Sequence, residues 1–170
     1  MNNKLKRLCI LSILLATNVA VSAIKIPVST NLEVSFTFLI TMYVAANFKV
    51  PECVIFVTIE DLMTYFLFEA SRWPFFPGYT LSAIIGILIF YFFLHKKVSL
   101  LNVALSKTLV NIFVNVCLGS IWSKMMYGNA FLYYATTSLI KNLVLLPFEI
   151  IIFYIIYKAL NSITKKYLSK

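Results

Sequence analysis

Acidic residues are scarce in this chain: six Asp and Glu stand against fifteen Lys and Arg in 170 residues, and charged residues together make up only 12%. A soluble globular domain carries charge on roughly a quarter of its residues, so that class is excluded. Glycine is also rare. The four present form no GxxxxGK[ST] phosphate loop, and HExxH and GxSxG are missing as well. The single histidine, His95, ends an apolar run beside Lys96 and Lys97, a position that marks a membrane boundary rather than a catalytic centre. Cys9, Cys53 and Cys117 are isolated in apolar surroundings without CxxC spacing, which indicates neither a zinc site nor a disulfide framework. No catalytic residue, metal ligand or cofactor is assigned. Low-complexity tracts and internal repeats are lacking too, and residues 1–170 suffice for a single compact helical domain.

What is abundant is apolar. Hydrophobic residues make up 61% of the chain and the mean hydropathy is +0.91, values that define an all-α integral membrane protein. The net charge of +9 does not gather into one basic face; the cations sit at the ends of apolar runs, where they report topology rather than nucleic-acid binding.

Six runs are legible, and they predict six transmembrane helices. The first, from Leu5 to about Ala23, follows Lys4, Lys6 and Arg7 and is long enough to span. It ends Val21-Ser22-Ala23, which resembles a signal-peptidase site, so cleavage after Ala23 is the alternative to a retained helix. Asn18 and Thr17 within it favour retention. Lys25 to Asn31 reads as a loop. A short run from Glu33 to Phe48 and a third from Cys53 to Phe68 are separated by Lys49-Val50-Pro51-Glu52, with the proline at a helix start and an acid in its first turn. The fourth runs from Tyr79 to Leu94, the fifth from Leu100 to Trp122, and the last from Tyr133 to Ala159, after a connection at Ser123 to Ala130. Ten basic residues then lie on the side of both termini (Lys4, Lys6, Arg7, Lys49, Lys96, Lys97, Lys158, Lys165, Lys166, Lys170), against Lys25, Arg72 and Lys124 on the other. That asymmetry predicts cytoplasmic termini.

Candidate chemistry lies in and above the spans. Phe75-Phe76-Pro77-Gly78-Tyr79 is a rigid aromatic turn in which Pro77 suits the first helical position and Gly78 gives freedom to turn. Thr80 or Ser82 follows as a local cap, and Ser82, Ala83 and Gly86 form a small-residue packing face. Ionisable residues within spans need a polar interior or a partner, and Asp61, Lys107, Lys141 and Glu149 qualify. Lys107 is near enough to its helix end to snorkel, and with Asn111 and Asn115 it makes a polar stripe at four-residue spacing. Lys141 lies about eight residues, roughly 12 Å, below the outer surface, where it can meet an anionic ligand. Its alternative is an internal pair with Asp61. Trp73, Phe75, Phe76, Tyr79, Trp122, Tyr127, Tyr133 and Tyr134 suit a flat heteroaromatic ligand, although each alone also fits an interfacial aromatic belt. Two rival functions stand beside ligand capture: a membrane enzyme using Asp61 or Lys141, and a bundle that only scaffolds partners.

Several segments together resemble the substrate-binding S components of energy-coupling factor vitamin transporters, in particular the folate-type ones. They are Ala16-xxx-Ala20, Lys25-Ile26-Pro27, Asp61-Leu62, Phe76 to Ala83, Trp122 with Tyr127-Gly128, and Lys141 to Pro147. The resemblance runs over nearly the whole chain and is most specific in FPGYTLSA and IKNLVLLP. It implies a six-helix bundle in a bacterial cell membrane that binds a vitamin, folate or a related compound, from outside; Lys25, Trp73, Phe76, Tyr79, Trp122 and Lys141 are the contacts expected for it. It further implies docking through Ala16 and Ala20 on a transmembrane coupling subunit driven by two ATPases. Two positions where the folate-type pattern tends to place arginine hold Ala23 and Ser138.

Overall fold

The computed structural model describes residues 3–24, 26–29, 32–71, 74–127 and 131–168. Among the described residues, six helical rods make up an all-α bundle, with one short pair of strands between the first two. Helix α1 is Asn3–Ser22, α2 Thr37–Asn47, α3 Val50–Thr64, α4 Pro77–Leu94, α5 begins at Leu100–Leu109, and α6 is Phe131–Leu168. Four of these rods are long and apolar enough to cross a membrane, Lys4–Ser22, Pro77–Leu94, Leu100–Met126 and Phe131–Leu160, so the protein is multi-pass. Their outward faces carry exposed Phe92, Leu132 and Ile140, as expected where lipid replaces water.

Local structure departs from the sequence reading in places with clear causes. Where the sequence predicts a loop before α2, β1 Ile26–Ser29 pairs antiparallel with β2 Leu32–Val34, irregular between Pro27 and Ser29, while Lys25, Thr30 and Asn31 lie outside the described residues. Helix α2 therefore starts at Thr37 rather than near Glu33. Helix α3 begins at Val50 with Pro51 in its first turn, and Glu52 Oε2 accepts from the Lys49 backbone N–H at 2.8 Å. Two rods then slip into i→i+5 bonding. Helix α3 continues as a π-helical turn, Tyr65–Glu69, and α5 passes through a π-helical stretch, Val110–Leu118, before returning to α-helix over Gly119–Tyr127. The segment read as a connection after Trp122 is thus helical to Tyr127, and Trp122 sits on a helix. Helix α6 continues through Pro147, which leaves one backbone carbonyl without its usual donor.

The two ends of the bundle differ. At the basic end, Met42, Val44 and Phe48 of the α2 region, Phe56 of α3, Ile87 and Leu94 of α4 and Val103 of α5 form a close core. Arg7 clamps α1 there: Nη2 and Nε donate to Glu52 Oε2 and Oε1 at 2.7 and 3.3 Å, and the guanidinium lies 5.3 Å from the Phe48 ring centre. His95 stacks on Tyr91 with ring centres 4.3 Å apart, in keeping with its place at a helix end. Toward the aromatic end the core opens. Asn18, fully buried, reaches from α1 to Thr41 of α2 at 3.4 Å, so its polarity serves helix packing.

Candidate functional site

A cavity of about 480 Å³ occupies that opened half, lined by residues of every rod except α1. Its size lies in the roughly 300–1,000 Å³ range of small-molecule sites. Near the aromatic end its wall carries Ser35, Glu60, Asp61, Tyr79, Ser123 and Tyr134; further in come Ser138, Lys141 and Asn142 of α6; at its inner limit are Lys107, Phe90 and Glu149. Charged and hydrogen-bonding groups thus converge in a region that sequence periodicity alone would fill with apolar side chains.

The aromatic turn reaches the upper wall through Tyr79 and backs it with its other side chains. Pro77 takes the first helical position of α4 as expected. Gly78 is required for a different reason than the one its sequence suggests. Its backbone is not left-handed; a Cβ there would collide with the Phe76 ring and lie 2.8 Å from Trp122 Cδ2. The missing side chain lets Phe76 and Trp122 pack, with ring centres 5.5 Å apart, while Phe76 meets Tyr79 edge-on at 6.0 Å. Thr80 and Ser82 do not cap the helix. Thr80 Oγ1 donates to Asp61 Oδ2 at 2.6 Å, and Ser82 Oγ accepts from Trp122 Nε1 at 2.8 Å, so each hydroxyl ties α4 to a neighbouring helix.

Of the residues singled out from sequence, Tyr79 and Lys141 line the cavity, whereas Phe76 and Trp122 stand behind Tyr79 and Ser82 as a rigid backing. Lys25 and Trp73 lie outside the described residues. Ala16 and Ala20 are exposed on the outer face of α1, away from the cavity. Lys107 does not snorkel. It is buried, with Nζ 3.2 Å from Glu149 Oε1, because the polar cavity offers a closer partner than the membrane surface does.

Sequence reasoning left Glu60, Ser120, Ser138 and Asn142 out of the site. The polar stripe of α5 was the available signal: its facing partners had to lie on another rod. Asn111 Nδ2 donates to Glu149 Oε2 at 3.4 Å, Asn115 Nδ2 to Asn111 Oδ1 at 3.1 Å and to Asn142 Oδ1 at 3.5 Å, and Asn142 Nδ2 to Ser138 O at 2.8 Å. Ser138 Oγ donates in turn to the Asn115 carbonyl at 3.3 Å. The residue standing where arginine was expected therefore closes a helix–helix contact. Ser120 is distinct: its Oγ is buried, lines the cavity and has no hydrogen-bond partner among the described residues. A buried hydroxyl left unpaired costs about 1–3 kcal/mol, an expense that a bound ligand can relieve.

A bundle of membrane-crossing helices, five of whose rods enclose a polar, ligand-sized cavity, defines a membrane protein built to hold a small molecule. Comparison with known proteins narrows this. No protein-family profile matches. The chain is 32% identical over 175 residues to the folate transporter FolT of Leuconostoc mesenteroides subsp. mesenteroides, covering 96% of this chain and 92% of that one. It is 33% identical over 105 residues to the folate transporter FolT of Clostridium novyi, covering 61% and 60% of the two chains. Among solved structures, FolT bound with folic acid superposes with a TM-score of 0.77 at 28% identity, covering 88% of this chain and 89% of that one. The chain belongs to the FolT family of folate transporters, the folate-type S components, and is not an enzyme.

Proposed function

We infer that this protein is the substrate-binding subunit of a vitamin importer, and that folate or a related pterin enters the cavity from the aromatic end. The observation that carries the reading is the polar cavity of about 480 Å³ in a chain of this family. Tyr79 flanks the ring, with Phe76 and Trp122 holding it in place. Asp61, fixed by Thr80, accepts hydrogen bonds from the amino edge of the ring, and Lys141 meets an anionic part of the ligand. Lys25 and Trp73 belong to the same proposed contact set by sequence. Ala16 and Ala20 offer the small-residue surface on which a transmembrane coupling subunit driven by two ATPases docks. The ten-to-three distribution of basic residues supports cytoplasmic termini in a bacterial cell membrane, with the aromatic end outward.

Purified protein titrated with folic acid, followed by tryptophan fluorescence and calorimetry, tests the binding step. Saturable one-to-one binding is expected. Absence of binding to folic acid and to simpler pterins would sink the reading.

A further inference from the structure

The inner floor of the cavity holds two opposite charges that a ligand site for an anion does not need. Lys107 Nζ lies 3.2 Å from Glu149 Oε1, with the side chains only 5% and 13% exposed. The ammonium also sits 4.1 Å from the centre of the Phe38 ring, and the second carboxylate oxygen accepts from Asn111. Lys107, Phe38 and Glu149 all line the cavity. A lone lysine at this depth would attract a carboxylate down to the floor. With Glu149 beside it, the pair presents about zero net charge. Stability does not account for the arrangement, because a buried ion pair is often no better than two apolar side chains of similar volume.

We propose that Glu149 is a specificity-determining residue: by neutralising Lys107 it keeps the floor of the cavity from holding a carboxylate, so that the anionic part of the ligand is held at Lys141 rather than drawn deeper. The proposal rests on the folate reading above. Lys141 precedes Glu149 by eight residues on α6, about 12 Å along the axis, so a carboxylate held at Lys141 stays clear of the floor. At such separations inside a protein, one unit of charge at the floor changes the binding of an anionic tail on the order of tenfold. Glu149 acts through Lys107, and its contribution is selectivity rather than adhesion.

The test measures dissociation constants of the purified full chain for folic acid, which carries two carboxylates, and for a neutral pterin without the glutamate tail. The preference for folic acid over the neutral pterin is the readout. Glu149→Gln leaves a net cation at the floor and is expected to raise that preference about tenfold. Lys107→Met leaves a net anion and is expected to lower it by a similar factor. The double variant Lys107→Met/Glu149→Leu has a neutral floor and is expected to keep the wild-type preference even if either single variant fails to fold. Folded single variants with an unchanged preference overturn the proposal, as does a double variant that loses the preference, since that would place the charges in direct contact with the tail. A wild-type protein that binds neither compound instead refutes the folate reading itself.

Discussion

Thr80 Oγ1 donates to Asp61 Oδ2 across 2.6 Å, locking the third helix to the fourth at the cavity wall. The bond leaves the other carboxylate oxygen for a ligand, and a carboxylate with two acceptor oxygens suits a ring edge bearing adjacent N–H donors. Asp61→Asn preserves an acceptor for Thr80 but removes the charge. The expected outcome is a melting temperature within a few degrees of wild type and folic acid affinity reduced about tenfold, because a charged hydrogen bond is worth roughly 1.5–3 kcal/mol. An unchanged affinity would confine Asp61 to a structural role.

Ser120 Oγ is buried on the cavity wall without a partner among the described residues, so a ligand that bonds to it would relieve that cost in the complex. Ser120→Ala is expected to leave the ligand-free protein as stable or slightly more stable, while weakening folic acid binding by about threefold to tenfold, the worth of one neutral hydrogen bond. Thermal melts with and without ligand separate the two effects. A variant whose ligand-induced stabilisation matches wild type argues against contact.

Gly78 packs its bare Cα beneath Phe76 and Trp122. Gly78→Ala inserts a methyl group where Trp122 Cδ2 would be 2.8 Å away, and overpacking of this kind costs about 1–3 kcal/mol. Both stability and ligand affinity should fall, and Trp122 emission should shift as its hydrogen bond to Ser82 is disturbed. A neutral substitution would mean that the rings have room to move.

The contrast between Gly78 and Pro77 shows how far the sequence could be read. Pro77 acts through its own backbone, so its place at the helix start was legible from local chemistry. Gly78 acts through two rings, one of them on a rod more than forty residues away, and no local pattern reveals that. The six rods were visible because lipid imposes long apolar runs, and their ends were marked by charge and proline. The strand pair at 26–29 and 32–34 and the π-helical stretch of α5 were not, since short polar loops and a change of hydrogen-bond register leave little periodic trace. Lys107 followed the same rule: the sequence showed an intramembrane cation, but its partner Glu149 lies on another helix, and only the fold brings them together.

Ala16 and Ala20 are exposed on α1, whereas the cavity is lined by the other rods. If this small-residue face lets a coupling helix approach closely, Ala16→Trp abolishes vitamin uptake in cells while folic acid binding by the purified variant stays within about twofold of wild type. Equal loss of both would remove the separation between docking and binding.

Lys141 lines the cavity between the aromatic mouth and the Lys107–Glu149 floor, a position at which a cation can reach the anionic part of a ligand whose ring is flanked by Tyr79. Lys141→Met keeps most of the aliphatic length and removes the charge. If the ammonium binds the ligand, folic acid affinity falls about tenfold to a hundredfold, and binding of a neutral pterin changes little, because only folic acid loses a charge-assisted hydrogen bond. If Lys141 instead serves only to hold helices together, its removal leaves a carboxylate or carbonyl without its donor, and the melting temperature falls with both ligands affected alike. Affinity for the two compounds and melting temperature, measured on the one variant, therefore separate the readings. A large fall in melting temperature with the folic acid preference intact would eliminate Lys141 as a ligand contact.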